Sequence, residues 1–479
     1  MKPMIDIFLP KTDDNNKQAT LKSIASQSGV ARVLDFPDGP VKASQTMIAI
    51  AGQAQAPYTM IYFKEQALQM GYLSTERWLQ VAETGDAAML YSDHYNTTAE
   101  GLRKDAPVID YQQGSLRDDF DFGSLVMIRT EVLKQAARDL QGTDYQAAGW
   151  YALRLAISRA GRLEHIPEPL YSEVELDTRK SGEKLFDYVD PRNRASQIEM
   201  EQACTHHLKL IGGYLKPEFE QVDVKAGSFP VEVSVMIPVR NRIRTIRDAV
   251  ESAQRQQTTF KYNIFVVENG PECHSTDGTT EAVEEMAARD PRIVHIVPTR
   301  NDLGVGGSWN ACAHHASCGR FIVQLDSDDI YSGEDTLQKF YDAFMAQQTP
   351  MIIGAYQLTD INGNILPPGK IDHREWTPEN GRNNALRING LGAPRAFFSP
   401  VVRDIMLPNV CYGEDYALGL AISRRYQIGR IYDVLYNCRR WDDNSDGDLT
   451  VEKANRYNTY KDRIRTWELQ ARIRQNAGK

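Results

Sequence analysis

Three carboxylates crowd into four residues of "FIVQLDSDDIY", where the apolar run Phe321–Leu325 gives way to Asp326, Ser327, Asp328 and Asp329. Like charges this close repel one another, which is costly unless a cation or hydrogen-bond donors offset it. Hard oxygen ligands of this kind suit Mg2+ or Mn2+, which commonly bridge protein carboxylates to a substrate diphosphate. The plainer alternative is a helix N-cap with solvated acids. A second acidic pair, Glu414-Asp415, opens "EDYALGLAISR". Residues Tyr416 to Ile422 predict a helix there, whose N-terminal dipole favours an ionised Asp415 able to take a proton from a hydroxyl. An ordinary acidic helix start is the plainer reading of that pair.

Such groups need strand ends to hold them. Apolar β-rich runs alternate with helix-like stretches in the order "VSVMIPV", residues 245–256, "NIFVVEN", residues 281–288 and "RIVHIV". Strand, helix, strand, helix predicts an α/β fold with a mostly parallel sheet, and ligands of such sheets sit beyond the carboxyl ends of the strands. The chain also repeats itself. "ALRLAISR" at 152–159 returns as "ALGLAISR" at 417–424, and Leu170-Tyr171 returns in the same register, 265 residues on, as Leu435-Tyr436. The strand "IDIFLP" ending at Pro10 has its counterpart in "VSVMIP" ending at Pro238. The second half carries roughly 35 more residues near its front. Each half closes with a helical segment, at about 194–211 and 451–475, and "KPEFEQVDVKAGSFP" links the halves.

With 479 residues, 42% hydrophobic and 25% charged, the chain has the composition of a folded enzyme, not of a disordered or fibrous protein. Its net charge of −9 provides no overall field for nucleic acid, so none is expected as a partner. Six cysteines are too few for a disulfide framework and predict reduced thiols. No apolar run approaches the ~20 residues that cross a bilayer, and "MKPMIDIFLPKTDD" has no secretory leader pattern, so a cytoplasmic location is expected.

Taken in order, the strand ends read "VSVMIPVRNR", "VVENGPECHSTDGTTE", "TRNDLGVGGSWN", "LDSDD", "YGEDYALGLAISRRY" and "LYNCRRWDDNS". Over 231–445 this succession resembles a family 2 glycosyltransferase of GT-A fold, whose landmarks are a strand ending "IPVYN", an acidic "DDGSTDGT", "NxGxxxARN", "LDSDD" and a late "ED". The resemblance implies that Pro238, Val239 and Arg240 lie along a nucleotide-sugar, that Glu268 receives a hydrogen bond from the base, and that Asp277 of "STDGT" and Gly304 flank the donor. It implies further that Asp326 and Asp328 hold Mn2+ or Mg2+ against the donor diphosphate, and that Asp415, beside Glu414, is the general base. Glu268 replaces the usual Asp, and Trp309 stands where the family often has Arg. Arg240, Arg242, Arg244 and Arg300 could replace that contact or be surface charge. "NCRRW", residues 437–441, echoes the "QxxRW" of processive synthases, but the chain lacks their membrane helices, so a single or limited addition is expected.

In the first half, alignment on the second places Lys64, Glu65 and Gln66 where Asp326, Ser327 and Asp328 stand, and Gly149-Trp150 where Glu414-Asp415 stand. The expected architecture is therefore two GT-A-like, Rossmann-like domains in tandem, the first degenerate: 1–172, a helical connector and linker over 173–230, the catalytic domain over 231–445, and a C-terminal helix over 446–479. Asp93-His94 could be a relic site. "CAHHASC", with Cys273-His274, matches no four-ligand zinc spacing. Gly304, Gly306 and Gly307 form no Walker loop and predict a close backbone approach to the donor sugar. The reading is a metal-dependent inverting transfer from a UDP- or GDP-linked sugar to a glycan or lipid-linked hydroxyl acceptor, in cell-surface polysaccharide or glycoconjugate assembly. A sugar-phosphate nucleotidyltransferase and a non-catalytic glycan-binding scaffold are the alternatives. The basic helix "KDRIRTWELQARIRQ" is expected either to meet the inner face of a membrane or to pack on its own domain.

Overall fold

The computed structural model describes residues 2–98, 101–174, 191–270, 274–441 and 450–478; Cys273 lies outside them. The chain forms two compact units. The first comprises Met1–Lys184, Asn193–Tyr214 and Thr450–Lys479, and the second Leu185–Arg192 and Leu215–Leu449. Both are α/β.

The first unit contains β1 (Ile5–Leu9), β2 (Val30–Asp35), β3 (Tyr58–Tyr62), β4 (Gln69–Met70), β5 (Met89–Ser92), β6 (His94–Thr97), β7 (Arg103–Ala106), β8 (Leu125–Arg129), β9 (Leu163–Ile166) and β10 (Tyr171–Val174). Its main sheet has the order β2-β1-β3-β8-β5-β9, with β8 antiparallel to both neighbours. A smaller sheet runs β4-β10-β6-β7. Ile5, Ile7 and Leu9 of β1 pack into one core and Phe8 into another. Both sheet faces are therefore covered, which is why β1 reads as an unbroken apolar run and not an alternating one.

The second unit contains β11 (Val233–Val239), β12 (Tyr262–Glu268), β13 (Ile293–Ile296), β14 (Phe321–Gln324), β15 (Ile330–Tyr331), β16 (Met351–Asp360), β17 (Ile365–Ile371), β18 (Arg395–Phe398) and β19 (Ile428–Arg440). The order β12-β11-β14-β18-β16-β19 repeats that of the first unit strand for strand, including an antiparallel β18, and β13 extends the edge. Here β16 and β19 are long enough to run on into the second layer, where β15-β19-β16-β17 reproduces β4-β10-β6-β7. Tyr171 pairs with Met70 as Tyr436 pairs with Tyr331. The sheets are mixed, because the strand after each acidic-loop position returns through β8 or β18; periodicity alone does not reveal that reversal.

The helix Val451–Ala477 belongs to the first unit and packs on it. Arg465 and Arg472 are fully buried, held by Asp462 (2.8 Å) and Glu468 (2.7 Å). Thr466 Oγ1 accepts from the Gly114 backbone at 2.9 Å, and Ser115 Oγ donates to Asp462 at 2.9 Å. Of its two expected roles, packing is the one its buried arginines serve. Among the described residues no helix is long and apolar enough to cross a membrane.

Candidate active site

Strand β14 is buried throughout and delivers Asp326 at its carboxyl end. Gln324, inside the strand, donates from Nε2 to both Asp326 oxygens at 3.0 Å, and the Asp326 backbone N–H donates to Tyr436 Oη at 2.9 Å. The far end of β19 clasps the rest of the loop. Arg439 donates from Nε to the Asp328 carbonyl (2.6 Å), from its backbone to Asp329 Oδ1 (2.7 Å) and from Nη1 to Asp248 (2.7 Å). Burial, with repulsion from Asp328, raises the Asp326 pKa above the usual carboxylate value, and burial does the same to Asp329. These are carboxylates that gain from a cation.

Asp415 lies in the first turn of the helix Glu414–Arg425, after Gly413 at φ 83°. Its Oδ2 is 2.5 Å from Arg395 Nη1 at the start of β18. The Arg395 backbone N–H donates to Gln324 Oε1 at 3.1 Å. A chain of contacts, Asp326–Gln324–Arg395–Asp415, thus joins the acidic loop to the acidic helix start. Burial opposes the charge on Arg395, but Asp415, Asp326 and Glu414 outweigh it and hold the guanidinium protonated. Glu414 is itself buried.

After β11, whose last residues are Pro238 and Val239, the loop 240–243 is bonded to the "STDGT" segment. Asn241 N–H donates to Ser275 Oγ (3.0 Å), Arg242 N–H to Thr279 Oγ1 (2.8 Å) and Ile243 N–H to Asp277 Oδ2 (3.1 Å). Asp277 also accepts from Thr279 N–H at 3.0 Å. Asp277 therefore braces two loops. Glu268, expected to meet a base, is fully buried and accepts from the Ser275 backbone and bonds His295 at 3.0 Å. Its carboxylate is turned into the protein, where it orders the loop that carries Ser275. Of the four arginines, Arg242 Nε lies 3.9 Å from Asp328 Oδ2, Arg244 stacks on Trp441 at 4.8 Å, and Arg300 pairs with Asp302. Arg240 packs on Gly270, which at φ 96° leaves room that a Cβ would fill 2.4 Å from Nη1.

The glycines of "LGVGGSWN" serve the protein's own packing. A Cβ on Gly306 would lie 1.9 Å from the Pro408 carbonyl, and one on Gly304 2.8 Å from Val410. Gly304 N–H donates to Asn409 Oδ1 at 2.8 Å. The expected approach to a sugar is replaced by a close approach of residues 408–410, which seats the acidic helix against this segment. Trp309 is buried with its ring edge on Phe397, at 5.6 Å between centroids.

Among the described residues no three His, Cys, Asp or Glu side chains converge to hold an ion. Asp326 and Asp328, near enough for the charge of one to raise the pKa of the other, are two hard oxygen donors that would suit a divalent cation only if water and a phosphate completed its shell. Cys312 and Cys318 are buried, and His315 turns away to accept from Ser317 N–H at 3.1 Å.

The first unit fills the same positions differently. Lys64, in place of Asp326, forms an ion pair with Glu173, and Ser124 and His94 (3.4 Å) also meet that carboxylate. Burial raises the pKa of Glu173, but His94 and Lys64 outweigh it and leave the carboxyl below the usual value. Trp150, in place of Asp415, packs on Phe63 at 4.6 Å. Asp93 and His94 diverge: Asp93 bonds His165 at 2.8 Å, whereas His94 stacks on Tyr171.

Sequence reasoning missed Gln324, Arg395, Tyr436 and Arg439. Two of them carried a signal, Arg439 as a basic residue in "NCRRW" at a strand end and Tyr436 as part of the repeated Leu-Tyr pair.

Residues 234–400 match the family described as Glycosyl transferase family 2. The Escherichia coli UDP-Glc:alpha-D-GlcNAc-diphosphoundecaprenol beta-1,3-glucosyltransferase WfgD is 26% identical over 202 residues, which are 42% of this chain and 72% of that protein. An uncharacterized glycosyltransferase of Methanocaldococcus jannaschii is 27% identical over 150 residues, covering 31% of this chain and 47% of that one. Among solved structures, S. aureus TarS 1–349 in complex with UDP-GlcNAc is 20% identical with a TM-score of 0.38, over 50% of this chain and 72% of that one.

Proposed function

We propose that this chain, whose residues 234–400 form a glycosyl transferase family 2 domain, transfers a sugar with inversion from a nucleotide diphosphate donor to a hydroxyl of a lipid-linked glycan. The observation that carries this reading is the contact chain from Asp326 through Gln324 and Arg395 to Asp415, which gathers an acidic donor-side loop and a second carboxylate around one half-buried guanidinium.

In this reading the acceptor hydroxyl approaches Asp415 and replaces part of its contact with Arg395. As the acceptor oxygen bonds to the anomeric carbon, the bond from that carbon to the diphosphate oxygen breaks on the opposite face, and the hydroxyl proton passes to Asp415. Arg395 keeps Asp415 a carboxylate before the acceptor arrives and stays beside it as the proton is taken. Arg242 and Arg240 lie on the donor side and meet the growing charge of the nucleoside diphosphate. A divalent cation held by Asp326 and Asp328 would supply further charge neutralisation there. The UDP-sugar and the lipid-diphosphate acceptor in the name of the E. coli relative support the same substrate classes for this chain.

The test is transfer from UDP- and GDP-sugars to a lipid-diphosphate-linked sugar in the presence of Mn2+, with the product followed by proton NMR. A product of opposite anomeric configuration to the donor is expected. A product that retains it, or no product from any donor, would contradict the reading.

A further inference from the structure

At the start of β19, far from the acidic loop at its other end, the second unit holds a cavity of about 370 Å3. Its lining includes Arg430, Trp376, Thr349, Gln427 and Tyr432. Arg430 pairs with Ile353 of β16 and Arg439 with Thr359, six residues further along that strand, on the order of 20 Å. The cavity is therefore distinct from the donor site.

Arg430 is set rigidly. Its backbone N–H donates to Gln347 Oε1 at 3.0 Å, its carbonyl accepts from Gln347 Nε2 at 2.9 Å, and its guanidinium lies 4.6 Å above the Trp376 ring. Trp376 is buried in turn. Yet Nε and Nη1 are buried and have no hydrogen-bond partner among the described residues. Glu375, the neighbouring carboxylate, is bonded to His373 Nδ1 at 3.1 Å. Burial lowers the Arg430 pKa to about 10, which leaves it a cation at neutral pH. Buried donors of native proteins are nearly always satisfied, and a charge-bearing exception calls for a ligand.

The internal repeat supplies a comparison. The same offset of 265 residues places His165 where Arg430 stands, and His165 also lines a cavity, of about 900 Å3. There both ring nitrogens are taken by the protein's own carboxylates, Asp93 at 2.8 Å and Asp110 at 2.8 Å. One copy satisfies its cavity residue internally, and the other leaves it unsatisfied.

We propose that the cavity around Arg430 binds a small oxyanion, the carboxylate or phosphate of a sugar-sized ligand, held by the guanidinium while Trp376 backs its other face. An acidic sugar and a sugar phosphate share this chemistry.

The full chain, with chelator present to silence the donor site, is titrated calorimetrically with glucuronate, glucose 1-phosphate and glucose. One anion is expected to bind saturably with Kd below about 1 mM, and neutral glucose not at all. Saturation by glucuronate alone assigns a carboxylate, and by glucose 1-phosphate alone a phosphate. Arg430→Met is expected to weaken that binding at least about tenfold while keeping UDP binding in Mn2+ and a Tm no lower than that of the unsubstituted chain, since it removes a buried unsatisfied cation. Arg430→Lys should retain part of the binding. Failure of both anions to bind, undiminished binding by Arg430→Met, or equal binding of glucose would overturn the proposal.

Discussion

Arg395 Nη1 stands 2.5 Å from Asp415 Oδ2, and its backbone N–H is tied to Gln324, the residue that also holds Asp326. One half-buried cation therefore balances the acids of the 326–329 loop and those that open the helix Glu414–Arg425. Removing it leaves like charges facing one another in a partly desolvated site. Arg395→Met is expected to destabilise the second unit by about 3 kcal/mol in urea unfolding, with Arg395→Lys recovering part of the loss. Equal stability of Arg395→Met and the unsubstituted chain would count against this balance.

Asp415→Asn keeps the shape of the side chain but cannot take a proton. Turnover is expected to fall about a thousandfold with the donor Kd changed by less than about twofold, read by transfer assay and calorimetry together. A parallel loss of donor binding would assign Asp415 to the donor instead.

Much of this site is legible in the order of its motifs, because "LDSDD" must follow a buried strand and "ED" must start a helix for either to act. What escapes is whatever depends on side chains from distant segments. Arg395 is one arginine before "AFF", with no spacing to betray that it meets Asp415 twenty residues on. Gly306 reads as room for a ligand, whereas the space is taken by the Pro408 carbonyl. Glu268 has the right charge at the right strand end but turns inward to Ser275 and His295. The repeat at a 265-residue spacing is visible by eye, whereas the antiparallel β8 and β18 within it are not.

Lys64 occupies in the first unit the position of Asp326 in the second, and it neutralises a buried Glu173. Lys64→Met should cost about 1–2 kcal/mol of first-unit stability by leaving that carboxylate with only His94 and Ser124, with Lys64→Arg recovering most of it. Transfer per folded molecule should not change. A loss of turnover without loss of stability would give the first unit a direct part in the chemistry.

His207 is buried and accepts from Arg159 Nη1 at 2.8 Å, and burial with that positive neighbour depresses its pKa to about 3. Below the unfolded value near 6.5 the unfolded chain takes up a proton that the folded chain refuses. Stability therefore declines as pH falls from about 6.5 towards 3, by up to about 1.4 kcal/mol per pH unit from this group. His207→Asn should flatten that slope in denaturation measured at pH 7, 6 and 5, and an unchanged slope would contradict the assignment.

The most direct test of the account is calorimetric titration of the chain with UDP and with GDP, each with Mn2+ and with chelator, repeated on Asp328→Ala. The account predicts that one nucleotide binds in Mn2+, that chelator removes the binding, and that Asp328→Ala loses it while remaining folded. Binding that is indifferent to Mn2+ and to Asp328, or no binding of either nucleotide, would contradict it.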